Sequence, residues 1–338
     1  MQTNSNSKNK TLDVVGIGNA IVDILVQTED TFLEKHSLVK GSMALLNDDE
    51  AEKLYSSIGA GVESSGGSAA NTLAGLAELG SNAGFIGRVR NDQLGEIFTH
   101  DIRSAGARFD TTPKDSGPPT ARCIIFVTPD AQRTMCTYLG ASVFLEPNDL
   151  DLSMVRETKV LYLEGFLWDH PAAKRAFLAA SEACKNSGGK VALSLSDSFC
   201  VDRHRESFLS LVDSHVDILF ANESEITSLY EVNEFNKAIE KIQNRCEIAA
   251  LTRGEKGSLI LTQKEQIEIE PYKFGPLIDT TGAGDLYAGG FLYGYTTGQS
   301  LLKCGHIGSI CAGHIVTQLG PRSRISLKEF VQNTLKLN

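Results

Sequence analysis

The chain has 338 residues, of which 41% are hydrophobic and 22% charged, an ordinary composition for a soluble globular protein with a sizeable core. Its 42 acidic residues outnumber 32 basic ones and give a net charge of −10, which argues against a nucleic-acid partner, because duplex-binding proteins usually carry a basic face. The seven cysteines form no CxxC pair, so neither a zinc knuckle nor a disulfide framework is indicated, and their scatter fits a reducing cytoplasm.

The N-terminal stretch 1–10 is polar and lacks the apolar region of a signal peptide, so it predicts a disordered tail. No apolar run approaches the ~20 residues that a membrane-spanning helix needs, so no membrane partner is expected.

From residue 12 onwards, short runs rich in valine, isoleucine and leucine recur, several of them separated by helical patterns. The apolar runs are 12–17, 83–89, 159–163, 190–195, 217–221, 248–251 and 258–261, and two of the helical patterns are 172–184 and 235–245. Buried strands that alternate with helices predict an α/β fold over residues 11–330, with a largely parallel central sheet flanked by helices.

Two stretches, 24–46 and 122–139, interrupt this alternation, because they contain β-like segments without well-formed helices between them. We expect them to form a small β-strand lid over the main domain.

The string VVGIGNAIVD at 14–23 looks superficially like a dinucleotide fingerprint, but Ile21 occupies the third glycine position and no helix pattern follows. A Rossmann dehydrogenase is therefore excluded. Asn19 and Asp23 are instead predicted to end the first strand, where α/β sheets place their ligands. An ionised Asp23 can accept hydrogen bonds from two neighbouring hydroxyls of a sugar, although a lone aspartate after a strand is more often a loop residue.

The string GGSAAN at 66–71 opens a helical pattern with alanine and leucine on one face. Ser68 is predicted to be the N-cap of this helix and Gly80 its C-cap. Taken alone, the string indicates only a tightly packed helix entry.

Two further strings follow predicted strands. NESE at 222–225 is, by itself, typical of a helix N-terminus with favourable acids, and TRGEKG at 252–257 forms a glycine-containing turn. The chain contains no GxxxxGK[ST], so a P-loop is excluded as the phosphate-binding device, and Lys256 is expected to be solvated.

The string DTTGAGD at 279–285 is the most informative, because Ala288, Phe291 and Leu292 continue it at helical spacing. Gly282, Ala283 and Gly284 are therefore predicted at a helix N-terminus, where unpaired amides and the helix dipole form an anion hole. Asp285 would lie beside that hole and could accept the proton of an attacking hydroxyl. The alternative is a capping turn without chemistry.

These strings, in this order, resemble the signatures of the ribokinase-like (PfkB) carbohydrate kinase family over nearly the whole chain past residue 10. The resemblance implies a ribokinase-like kinase that transfers the γ-phosphoryl group of ATP to a primary hydroxyl, with Asp285 as the catalytic base. The same resemblance implies an anion hole formed by Gly282, Ala283 and Gly284.

The resemblance also implies the binding residues. Substrate hydroxyls would contact Asn19, Asp23, Gly66, Gly67, Ser68 and Asn71. ATP would contact Asn222, Thr252, Gly254 and Gly257. Glu225 would order water bound to Mg²⁺, and Asp279 and Thr281 would help to bind a monovalent cation such as K⁺.

Two features resemble the adenosine kinases of this family. The string FLEKHSL at 32–38 is similar to a segment of those enzymes, and Arg133 falls where they carry an active-site arginine that can stabilise the transferring phosphoryl charge. A nucleoside also needs an apolar wall for its base, for which Leu139, Phe166 and Phe199 are candidates, unless they are core residues.

The acceptor remains open, because GGSAAN is more similar to the sugar kinases. The alternatives to adenosine are ribose, fructose or 2-keto-3-deoxygluconate, and a non-catalytic nucleotide-binding regulator would not need Asp285. His314, on the last helical stretch, would line the adenine pocket by the resemblance but is more often a core or rim histidine. The partner is expected to be a small molecule, and the sequence is compatible with a monomer or a homodimer.

Overall fold

The computed structural model describes residues 10–130 and 132–337, so the predicted tail lies outside the described residues except for Lys10. In this part of the chain, the strands form an eight-stranded sheet and a five-stranded sheet.

The eight-stranded sheet forms the centre of the molecule. With strands numbered along the chain, its order is β13 (Gln266–Ile269), β12 (Ser258–Thr262), β11 (Ile248–Thr252), β10 (Ile218–Asn222), β9 (Lys190–Ser194), β8 (Thr158–Glu164), β1 (Leu12–Ile17) and β5 (Ala83–Ile86). The pairs from β11 to β5 are parallel, and β12 and β13 are antiparallel. The prediction of a largely parallel sheet is confirmed, and each predicted apolar run falls on one of these strands.

Helices cover both faces of this sheet, except that the first two helices of the chain pack against the five-stranded sheet. The helices are α1 (Asp30–Lys35), α2 (Asp48–Ser57), α3 (Ser68–Leu79), α4 (Gln93–Ser104), α5 (Leu152–Arg156), α6 (Pro171–Asn186), α7 (Ser198–Ser214), α8 (Glu223–Tyr230), α9 (Phe235–Ile242), α10 (Ala283–Thr296), α11 (Leu301–Ile315) and α12 (Leu327–Leu337). The predicted helical patterns correspond to α6 and α9.

Two hydrophobic cores lie on opposite faces of the sheet, because successive side chains of a strand point in opposite directions. Val15 and Leu161 belong to the core beneath α5 to α9, whereas Val14 and Val160 belong to the core beneath α3, α4 and α10. Continuous apolar runs therefore match a sheet that is buried on both faces.

The five-stranded sheet has the order β3 (Met43–Leu45), β7 (Arg133–Tyr138), β6 (Ala121–Val127), β2 (Ile21–Gln27) and β4 (Val62–Gly66). Four of its strands fall largely within the two stretches that the sequence marked as β-like. The fifth, β4, was missed because its sequence, VESSG, is poor in β-branched and aromatic residues. The expectation of no well-formed helix in 24–46 was also wrong, since the six-residue helix α1 lies between β2 and β3.

Candidate active site

A cavity of about 900 Å³ lies between the five-stranded sheet and the carboxyl ends of the central strands. Its polar part is lined by residues from both glycine-rich helix entries, including Gly67, Ser68, Asn71, Gly284 and Asp285. Two of the predicted motifs, 217 residues apart at Ser68 and Asp285, therefore meet in one site.

The anion hole is predicted at the N-terminus of α10. Gly282 is the N-cap with φ 80°, and a Cβ there would lie 2.6 Å from the Cβ of Pro321. At Gly284 the position of a Cβ is open, so the backbone is accessible from the cavity. The amide of Ala283, however, already donates to the carbonyl oxygen of Thr280 at 3.1 Å. Accessible backbone at this helix end is therefore centred on Gly284.

Asp285 lies in the first turn of α10, and both of its carboxylate oxygens accept hydrogen bonds from α3. Ser68 Oγ donates to Oδ1 at 2.6 Å, and Asn71 Nδ2 donates to Oδ2 at 3.1 Å. Burial raises the pKa of Asp285 to about 6, while these two hydrogen bonds and the charge of Arg322 act in the opposite direction. A carboxylate with a pKa near neutrality suits a general base.

The prediction that Ser68 caps α3 was wrong, because Gly67 is the N-cap with φ 96° and Ser68 is the first helical residue. The hydroxyl of Ser68 is directed to Asp285 instead of the helix's own amides. The prediction of Gly80 as the C-cap is confirmed, with φ 100°.

The glycine pair before α3 lets the chain pass very close to two predicted acceptor-binding residues. A Cβ on Gly66 would lie 2.3 Å from the carboxyl carbon of Asp23, and a Cβ on Gly67 would lie 2.4 Å from the carbonyl oxygen of Asn19. Glycine is therefore required at position 67, where φ is 96° and the clash is with backbone, whereas a side chain at position 66 would displace the carboxyl group of Asp23.

Asp23 does not end the first strand as predicted. The apolar run from residue 12 breaks at Gly18 and Asn19, and Asp23 lies in the middle of β2, in the five-stranded sheet. It still faces the cavity. Burial raises its pKa to about 7, although the charges of Arg322 and Arg133 favour the ionised form.

Asn19 is held by a buried carboxylate that the sequence did not identify. Glu164, at the end of β8, accepts from Asn19 Nδ2 at 2.7 Å and from the amide of Ala69 at 2.8 Å. Ser142 Oγ donates to the other end of the Asn19 side chain at 2.9 Å. Burial raises the pKa of Glu164 to about 7. In the sequence, Glu164 could have been identified as an acidic residue at the end of a buried apolar strand.

At the other end of the cavity, Asn222 and Glu225 form a capping box at the start of α8. Asn222 Nδ2 and its backbone amide donate to the two carboxylate oxygens of Glu225 at 2.6 and 2.8 Å. Burial raises the pKa of Glu225 to about 7. Thr252 also lines the cavity, whereas Gly254 and Gly257 lie in the turn after β11 and outside the cavity lining.

Arg133 and Asp279 form an ion pair between the five-stranded sheet and the turn before α10. The distance from Arg133 Nη2 to Asp279 Oδ2 is 3.0 Å, and the two side chains are only 9% and 7% exposed. Asp279 also accepts from the amides of Thr281 and Gly320. The carboxylate predicted to help bind a monovalent cation therefore already has a guanidinium beside it. No group of three or more possible metal-ligating side chains occurs in residues 10–130 and 132–337.

The rest of the lining has a polar part, with Asp169, Ser194, Ser196, Asp197 and Arg203, and an apolar and aromatic wall. The wall includes the predicted base-contacting residues Leu139, Phe166 and Phe199, together with Ile21, Met43, Leu45, Ile125 and Met135. Phe199 is 74% exposed, so it is not a core residue. His314 is buried elsewhere, bonded to Ser323 Oγ at 3.0 Å and packed against Phe330, and does not line this cavity.

Known proteins that resemble this chain agree with the geometry of the site. The model of the pfkB family carbohydrate kinases matches residues 41–327. The chain belongs to this family. The predicted family and the ribokinase-like fold are thereby confirmed, and the protein is an ATP-using sugar or nucleoside kinase, a phosphotransferase that acts on an alcohol group.

Relatives of this kinase include both substrate classes. An adenosine kinase from Sinorhizobium meliloti is 49% identical, and the match covers 96% of this chain and 99% of that one with a TM-score of 0.88. A probable sugar kinase from Rhizobium etli CFN 42 is 48% identical, with the same coverage and a TM-score of 0.89. A probable chloroplastic fructokinase-6 from Arabidopsis thaliana is 27% identical over 252 residues, which span 70% of this chain but only 64% of that protein.

One polar residue of this PfkB kinase had no signal in the sequence. Arg322, in the loop after α11, donates to the carbonyl oxygen and the hydroxyl of Ser65, each at 2.9 Å. A lone arginine in a loop carries no motif, and its approach to α3 arises only from the tertiary fold. Among the described residues, no helix is long and apolar enough to cross a membrane.

Replacing Gly67 by alanine should destabilise the kinase and impair acceptor binding. The positive φ costs roughly 1–3 kcal/mol, and the clash with the Asn19 carbonyl adds roughly 1–3 kcal/mol. Urea unfolding measures the loss. Gly117 is the matched control, because it also has positive φ (101°) but open space at its Cβ, so Gly117→Ala should cost only the first term. Equal losses in both variants would contradict the close approach at Gly67.

The rate should depend on pH through the carboxyl groups of the site. Asp285 with a pKa of about 6 is ionised, and able to accept a proton, only above that pH. Asp23, with a pKa of about 7, must also lose its proton to accept from substrate hydroxyls. The value of kcat/KM should therefore fall as the pH decreases through the range from about 7 to 6. A profile that is flat down to pH 5 would be incompatible with these environments.

Proposed function

We propose that this kinase transfers the γ-phosphoryl group of ATP to the 5′-hydroxyl of adenosine. The observation that carries the proposal is the apolar and aromatic wall that continues directly from the polar site around Asp285. A free sugar has no flat apolar face to cover this wall, whereas a purine does. The high similarity to an adenosine kinase supports the same choice.

In the proposed reaction, Asp285 accepts the proton of the acceptor hydroxyl as its oxygen bonds to the γ-phosphorus. The bond from that phosphorus to the β,γ-bridging oxygen breaks, and ADP leaves. Ser68 and Asn71 hold the carboxylate of Asp285 in place, so its orientation needs no adjustment at the moment of transfer. The accessible backbone around Gly284, together with the α10 dipole, would stabilise the phosphoryl charge.

The acceptor would be oriented by the residues of the first glycine patch. Asp23, when ionised, accepts from ribose hydroxyls, and the backbone at Gly66 and Gly67 allows close approach. Asn71 lines the cavity and donates to Asp285, so it would connect acceptor binding to the chemistry. Asn19 acts through its neighbours, since its side chain is already bonded to Glu164 and Ser142.

The donor end fits a nucleotide with Mg²⁺. Glu225 lines the cavity, and its oxygens keep lone pairs beyond the two bonds from Asn222, which suits contact with metal-bound water. Mg²⁺ bound with the nucleotide would supply positive charge to the β- and γ-phosphates. Asn222 and Thr252 would contact ATP, and the turn of Gly254 and Gly257 would follow it along the strand end. A K⁺ site at Asp279 and Thr281 remains a prediction.

Arg133 would serve two purposes in this reaction. Its guanidinium offsets the negative charge of Asp279 and contributes positive potential near Asp23. Because it lies on β7, it also connects the five-stranded sheet to the turn that begins α10. We infer that this sheet acts as the lid that excludes water during transfer, which limits ATP hydrolysis. The cytoplasm is the expected location.

Phosphorylation of a small sugar is the second candidate, favoured by the GGSAAN string and by similarity to a probable sugar kinase. A non-catalytic regulator is disfavoured, because the half-buried Asp285, held by two hydrogen bonds, has the environment expected of a general base.

Asp285→Asn should lower kcat by a factor of ~10²–10⁴, because the amide cannot accept the hydroxyl proton. Product formation with ATP and Mg²⁺ measures this loss. Asp49→Asn, on the exposed surface of α2, is the matched control and should behave as the unmodified enzyme. Near-normal turnover in a folded Asp285→Asn variant would refute Asp285 as the base.

Phe199→Ala should raise the KM for adenosine about 5- to 150-fold, the equivalent of a stacking energy of roughly 1–3 kcal/mol per base. The unfolding midpoint should change little, since the ring is 74% exposed. Phe144→Ala is the matched control, because Phe144 is also exposed but does not line the cavity.

The acceptor itself is tested with adenosine, ribose, fructose and 2-keto-3-deoxygluconate, each assayed by product mass. Phosphorylation of a sugar but not of adenosine would overturn the proposed substrate and would make Phe199 irrelevant to KM.

A further inference from the structure

A short segment after α11, residues 320–322, contacts Asp279 and the chain around both glycine-rich helix entries. The amide of Gly320 donates to Asp279 Oδ2 at 2.8 Å. Pro321 lies against the N-cap Gly282, where a Cβ would be 2.6 Å from the proline Cβ. Arg322 then reaches the other glycine patch through hydrogen bonds to Ser65.

The guanidinium of Arg322 joins two consecutive elements around that patch. Its Nη2 donates to Ser65 at the end of β4, and its Nη1 lies 3.4 Å from the carbonyl oxygen of Ala70 in α3. Between these contacts lie Gly66, Gly67 and Ser68. Arginine suits this position because its planar group presents several donors in fixed directions, which a lysine ammonium cannot reproduce.

Arg322 is also a positive charge among acidic groups, which are Asp101 on α4, Asp23 on β2, Glu78 on α3 and Asp285 on α10. The groups that interact with Asp285 from surrounding elements are Asp23 on β2, Ser68 and Asn71 on α3, Tyr162 and Glu164 on β8, Glu225 on α8, and Arg322 itself. Arg322 is the cation that lowers the pKa of both Asp23 and Asp285, with Arg133 assisting only at Asp23.

We propose that Arg322 is a positioning residue that fixes the acceptor turn against α10 through its hydrogen bonds to Ser65 and Ala70, and that places its positive charge among the carboxylates of the site. It does so without contacting the reacting atoms. The proposal rests on the proposed function in one respect, since it takes Asp285 as the general base. It does not depend on whether the acceptor is adenosine or a sugar.

The two roles can be separated with two substitutions. Arg322→Gln removes the charge, so the acidic limb of the kcat/KM profile should move to higher pH by about one unit, with activity lower at pH 7 and largely recovered at pH 9. Arg322→Lys keeps the charge but loses the fixed donors, so the limb should stay in place while KM for the acceptor rises about tenfold. Arg324→Gln, two residues further along the chain and exposed, is the matched control and should change neither quantity.

The measurement is a pH profile of kcat and KM for whichever acceptor the wild-type enzyme phosphorylates, with thermal unfolding to verify folding. An unmoved limb in folded Arg322→Gln would overturn the charge role. If Arg322→Gln does not fold, the pH profile of Arg322→Lys tests the charge role instead. A shift of its acidic limb by a full pH unit would overturn that role, and an unchanged acidic limb would support it. An unchanged KM in Arg322→Lys would overturn the positioning role.

Asp285→Asn, assayed in parallel, distinguishes the possible failures. If Asp285→Asn retains normal turnover, the assignment of the base fails whatever Arg322 does. If Asp285→Asn is inactive while both Arg322 variants behave as the wild type, only the inference about Arg322 fails.

Discussion

The hydrogen bonds from Ser68 and Asn71 to Asp285 are the contacts on which the rest of the active site depends. Short side chains can meet across two helices only where the helix backbones approach closely. Glycines permit this approach, since a Cβ on Gly75 would lie 2.6 Å from Leu286, and a Cβ on Gly289 would lie 3.0 Å from a backbone oxygen of α3. The packing of α3 on α10 thus brings the proposed acceptor-binding turn and the proposed anion hole together.

This packing brings several acidic groups together in a part of the active site that little water can reach. Burial raises the pKa of Asp23, Glu164, Glu225 and Asp285 above their usual values. Each group therefore binds its proton more tightly in the folded chain than in the unfolded one. Their stabilising contribution is complete below the unfolded pKa, near 4, and is lost as the pH rises through about 6 to 7. At neutral pH, ionisation of these groups therefore lowers the stability of the folded chain. The same ionised groups are the ones that can act on a substrate.

Local sequence pattern was sufficient to predict the central sheet and the start of α10 at Gly282. Local sequence pattern was not sufficient where the role of a residue depends on contacts with residues that are distant in the chain. The hydroxyl of Ser68 is an ordinary N-cap in sequence, and only the approach of α10 redirects it to Asp285. Asp23 was assigned to the wrong strand because the break at Gly18 and Asn19 lies inside one long apolar run. Arg322 has no local signal at all, because the groups it contacts are more than 250 residues away in the chain.

The five-stranded sheet contributes both polar and apolar groups to the site, and this has a physical consequence. Asp23 on β2 and Arg133 on β7 belong to the charged part, while Ile21, Ile125 and Met135 belong to the apolar wall. If this sheet moved away from α10, three changes would occur together. Water would reach the apolar wall, Arg133 would separate from Asp279, and Asp23 would be rehydrated. Covering the wall with an apolar acceptor opposes each of these changes. Binding free energy from the unreactive part of an acceptor is thereby linked to the electrostatic assembly around the reacting hydroxyl.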